Sequence, residues 1–67
     1  MRNEKELESE ALMYLADLKT DDVKSEKFVF EIALYLKSLY SIERNPIALK
    51  LSTDFDWIRS IVSRGAS

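Results

Sequence analysis

Apolar positions along the chain recur mostly at spacings of three and four, the period of a helix with one buried face. Leu7, Ala11, Tyr14, Leu15 and Leu18 form the first such series, which Leu12, Met13 and Ala16 widen, and it predicts a helix from about Asn3 to Lys19. Asn3 suits the cap position. Glu4, Glu6, Glu8 and Glu10 load the first turns with negative charge, favourable at the positive end of a helix dipole. The polar run Thr20, Asp21 and Asp22 then predicts a turn.

The stretch FVFEIALYLKSLY, residues 28–40, is the most apolar part of the chain and predicts a second helix from near Ser25 to about Ser41. Ser25 or Asp22 suits its cap, with Val23 as a staple residue outside it. At 100° per residue, Lys24, Lys27, Glu31 and Ser38 share one narrow polar strip. Phe28, Val29, Ile32, Ala33, Tyr35, Leu36, Leu39 and Tyr40 fill an arc of roughly 160°, against about 100° for an ordinary surface helix. Phe30 and Leu34 fall outside even that arc.

A third helix is expected from Pro46, since Asn45 at the cap and Pro at the first helical position form a strong start signal. Ile47, Leu51, Phe55, Ile58 and Val62 continue as one stripe, which favours one long or slightly kinked helix to Arg64. Ser52, Thr53 and Asp54 are the place where it could break and a fresh helix begin at Phe55. Arg59 and Arg64 lie toward the negative end, and Gly65 reads as the stop. The fold expected is therefore all-α: a small three-helix domain over 1–67, the second helix at its hydrophobic centre.

Composition sharpens this picture. At 67 residues the chain is at most one small domain, and such domains usually need a disulfide, a metal or a second copy of themselves. It has no Cys and no His, which removes disulfides, the usual zinc ligands and the usual general base. Self-association is what remains. Two neighbouring helices cover about two sides of the central one, so Phe30, Ala33, Leu34, Tyr40 and Trp57 are the expected interface, with Ile61 as a further neighbour. Burying four such groups is worth on the order of 10 kcal/mol gross, before the costs of association. A two-fold homodimer through the second helix is the simplest closure.

Candidate chemistry is sparse. The acidic ladder of the first helix and the pair Asp54 and Asp56 are explained by helix-end charge, and residues two apart do not converge on one ion. No metal site, cofactor site or catalytic constellation is expected. With one Gly, the chain lacks a phosphate-cradling loop, and none of its eight serines is spaced to act as an activated nucleophile. Ten basic and twelve acidic residues give a net charge of -2, without the basic excess of most nucleic-acid modules.

Residues 44–63 still admit a helix-turn-helix-like reading, with Arg44, Lys50, Arg59 and Arg64 as DNA contacts. Its recognition helix would open with two carboxylates, which repel the DNA backbone. The basic residues of the second helix are interleaved with acids, unlike a membrane-surface helix. Nor is there a signal-peptide pattern or a run long enough to span a bilayer, so a cytoplasmic location is expected. The functional expectation is a non-catalytic interaction or regulatory protein of the adaptor, inhibitor, immunity or antitoxin-like kind. It would work as a homodimer and contact another protein; a small DNA-binding regulator is the alternative.

Overall fold

A computed structural model describes residues 2–18 and 26–65. It is all-helical: α1 spans Glu4–Asp17, α2 Glu26–Glu43, α3 Pro46–Ser52 and α4 Phe55–Gly65. The expected turn at residues 20–22, the Ser25 or Asp22 cap, Val23 and Lys24 lie outside the described residues.

The first helix starts as its sequence dictates. Asn3 takes extended backbone angles and accepts from the Glu6 N–H at 2.9 Å, while Glu6 accepts from the Asn3 N–H at 3.1 Å, a reciprocal capping box. Leu7, Ala11 and Leu15 are its buried stripe, and they meet Phe28, Val29, Ile32 and Leu36 of α2 in one core. Ala48 and Leu51 of α3 and Ile58, Ile61 and Val62 of α4 complete it. α2 packs most extensively on α3, while α4 lies against both α1 and α2.

Between α2 and α3 the chain turns within two residues. Arg44 adopts φ 56°, the left-handed conformation that closes many helices and that usually falls to Gly. Asn45, fully buried, then accepts from the Ile47 N–H at 3.0 Å and caps α3. Its side-chain amide donates to the Arg2 carbonyl at 2.7 Å, tying the start of the chain to this corner.

The third helix, expected to run unbroken to Arg64, is instead divided into α3 and α4 at the Ser52–Thr53–Asp54 segment, where the sequence also allowed a break. Local polar groups outweigh the continuous apolar stripe here. Ser52 Oγ donates back to the Leu49 carbonyl at 2.6 Å, and Thr53 Oγ1 to the Lys50 carbonyl at 3.0 Å, satisfying groups that a helix end leaves open. Asp54 then accepts from the Trp57 N–H at 3.2 Å and caps the new helix. Gly65 closes α4 without a positive φ. A Cβ there would stand 2.9 Å from Leu15 Cδ1, so close packing against α1 is what favours Gly at this position.

Candidate functional site

Phe30 and Leu34 lie one turn apart on the side of α2 away from the core, 57% and 63% exposed. Phe55, the first residue of α4, stands beside them at 37% exposure, its ring edge-on to Phe30 with centroids 6.0 Å apart. With Ala33, Lys37, Ser52 and Thr53 they line a groove of ≈ 410 Å³ between α2 and the α3–α4 turn. The exposed parts of the three large side chains amount to about 300 Å² per chain, taking about 200 Å² for each whole side chain. That is the size of the largest apolar patch on a typical monomer, and such patches are often functional.

The structure brings Phe30, Ala33 and Leu34 together and leaves the other two expected interface residues apart from that groove. Tyr40 and Trp57 are half-buried and pack against the core, and the Arg44 guanidinium sits over the Tyr40 ring at 5.8 Å. Ile61, expected beside the open face, is fully buried. Phe55 is the residue that the sequence pattern misplaced. It continues the stripe of a single long helix, but the break at Thr53–Asp54 resets the helical phase and turns it toward Phe30. Met13 and Ile42 are exposed as well, at separate places on α1 and at the end of α2.

A second feature joins α1 to α2. The rings of Tyr14 and Tyr35 stack with centroids 4.5 Å apart and planes at 12°. Tyr14 donates its hydroxyl to Glu31 at 3.3 Å, and Tyr35 donates to Glu10 at 3.2 Å. Arg2 bridges Glu10 and Glu43, the latter at 2.8 Å. Burial first, then the Glu31 charge and its hydrogen bond, push the Tyr14 pKa up. Tyr35 is raised by burial and by Glu10, with Glu43 adding to the rise and Arg2 opposing it. The cleft lined by Glu10, Met13, Tyr14, Asp17 and Tyr35 is thus an internally satisfied acidic seam.

The four residues of the DNA reading are differently engaged. Arg44 follows α2, and Lys50 is exposed on α3. Arg59 donates to Glu26 at 3.0 Å and stands 3.9 Å from Asp56. The hydrogen bond to Glu26, and then its charge, raise the Arg59 pKa. Arg64 pairs with Glu8 at 2.6 Å. Both α4 arginines therefore face carboxylates of other helices. Among the described residues, no three of His, Cys, Asp and Glu gather where they could hold a metal ion, and no helix is long and apolar enough to cross a membrane.

No protein-family model matches the chain, and neither a curated protein nor a solved structure matches it.

Proposed function

We propose that this protein is a non-catalytic helical interaction protein that works as a homodimer, closing the Phe30–Leu34–Phe55 face against a second copy and offering its remaining surface to another protein. The observation that carries this reading is the exposure of Phe30 and Leu34 on α2, the longest helix among the described residues. Covering about 300 Å² on each of two copies contributes on the order of 15 kcal/mol gross. That is comparable with the ~4–15 kcal/mol cost of association, so the polar rim of the groove decides how tight the dimer is. An adaptor, inhibitor, immunity or antitoxin-like role is the kind of work proposed for it.

Urea unfolding followed across a hundred-fold range of protein concentration tests it. A dimer unfolds at a higher urea midpoint as concentration rises, because dilution favours the separated chains. Leu34→Glu should remove that dependence and leave a folded chain. A midpoint independent of concentration in the unaltered protein contradicts the reading.

A DNA-binding regulator is the second reading, favoured by one observation: α3 and α4 are separate helices joined by a short turn. Its charges argue against it, since Arg59 and Arg64 are already neutralised by Glu26 and Glu8. Salt-dependent duplex binding that Arg59→Ala and Arg64→Ala abolish would establish it.

A further inference from the structure

We infer that the two copies pack antiparallel through α2, with the two-fold axis level with the midpoint of Glu31 and Ile32; this rests on the homodimer reading above. The uncovered side of α2 carries an ordered sequence of groups: Glu26, then Phe30 with Ala33 and Leu34, then Lys37 and Ser41. Glu26 and Lys37 are eleven residues apart, close to three full turns, so they lie on the same flank of the apolar ridge, at its opposite ends.

Two antiparallel helices related by a two-fold axis bring the same flank of each together and reverse the order along it. Lys37 of one chain then stands level with the partner's Glu26, and this contact is made twice. Phe30 meets the partner's Ala33 and Leu34 between those two charged ends, so the apolar groups cover one another.

The charge around Glu26 suits an incoming ammonium group. Glu26 and Asp56 flank the Arg59 guanidinium, giving two negative charges against one positive. That flank is negative where Lys37 would arrive, while Lys27, also exposed, lies 100° further round the helix on the other flank of the ridge. A parallel pair lacks this complement. It leaves the two Lys37 side chains at one level on opposite flanks, and α2 carries no acid from Ile32 through Ile42 to meet either of them. An ion pair made twice in one order and absent from the other favours the antiparallel packing.

The absence of Cys makes the test direct, because a single introduced Cys takes a spin label at one known place. Ser38→Cys and Ser41→Cys, both at exposed positions, are labelled separately, so that Lys37 and Glu26 stay in place. Each sample's mass is taken by sedimentation, and the label–label separation by pulsed electron resonance. Antiparallel packing puts the Ser38 labels about 20 Å apart and the Ser41 labels about 30 Å apart. Each step of three residues away from the axis adds ~9 Å along the helices. Parallel packing gives two similar separations, both below about 15 Å.

A dimer whose separation grows from position 38 to position 41 by roughly 10 Å supports the packing. Any other pair of separations in a dimeric sample overturns it, while leaving the homodimer standing. An unlabelled, unaltered chain that sediments as a monomer overturns the homodimer and the packing together. Exchanging the charges gives a second check: Lys37→Glu should weaken the dimer several-fold, and Glu26→Lys added to it should restore most of the loss.

Discussion

The rings of Phe30 and Phe55 meet edge to face across the seam between α2 and α4, and both remain open to solvent. Edge-to-face geometry is a favourable aromatic contact, worth about 0.5–1.5 kcal/mol beyond burial. It links the outer side of α2 to the first turn of α4, and so makes one continuous apolar ridge of two helices. Phe55 reaches that ridge only because α4 begins afresh there.

The two sides of α2 should respond oppositely to truncation. Ile32 is fully buried and Leu34 is 63% exposed, although they are two residues apart. At concentrations low enough to leave single chains, Ile32→Ala should cost about 3 kcal/mol and Leu34→Ala less than about 0.5 kcal/mol. A chain of this size has roughly 3–10 kcal/mol in all, so Ile32→Ala removes a large share of it. Urea denaturation of both variants at low concentration checks this.

Asn45 holds two elements with one side chain. It caps α3 through the Ile47 N–H and donates to the Arg2 carbonyl from a fully buried position. Asn45→Ala should cost about 2 kcal/mol, combining a lost cap with a buried polar group left without its partner. Asn45→Asp retains the cap acceptor and loses the donor to Arg2. Hydrogen exchange should therefore show Asn45→Ala opening both α3 and the start of α1, while Asn45→Asp preserves more of the protection in α3.

Arg44 occupies left-handed backbone space at a cost that Gly avoids. Its guanidinium over the Tyr40 ring returns part of that cost from an exposed position. Arg44→Gly should still raise stability by about 0.5–1 kcal/mol, a rise of several degrees in the melting temperature for a chain of this length. Calorimetry of the two proteins gives the answer directly. A fall in melting temperature would mean that the Tyr40 contact outweighs the backbone.

Alkaline pH should loosen the α1–α2 seam. Tyr14 and Tyr35 are held above their ordinary pKa of 10.0 in the folded chain. The neutral phenols are therefore favoured by folding, and their contribution is fully present below pH 10. It is lost as pH rises past 10 and through the raised folded values. Absorbance at 295 nm should show both phenols ionising above 10, with the melting temperature falling over the same range. Replacing both by Phe should flatten that fall, and a phenol titration at the ordinary value would contradict the arrangement.

Helical class, the buried stripe of α1, the Asn45–Pro46 start and the exposure of Phe30 and Leu34 were all legible in the sequence. They depend on local periodicity and capping chemistry, which one chain carries in full. The break after Ser52 was harder to read because two local signals conflict. The stripe from Ile47 to Val62 favours continuity, while the Ser52, Thr53 and Asp54 side chains favour termination. The placement of Tyr40, Trp57 and Ile61 depends on how α3 and α4 turn after that break, so a continuous helical wheel could not give it. The Tyr14–Tyr35 stack joins positions twenty-one apart through tertiary packing alone, and no spacing rule within one helix points to it.

Sedimentation equilibrium over a dilution series, with Phe30→Glu measured beside the unaltered protein, decides whether a second copy closes the Phe30–Leu34–Phe55 ridge. The chain has a mass of 7.8 kDa. A homodimer gives twice that mass at high concentration, dissociation on dilution, and a folded Phe30→Glu variant that stays at the mass of one chain. An unaltered protein that holds the single-chain mass throughout the series, while remaining helical and soluble, would contradict it.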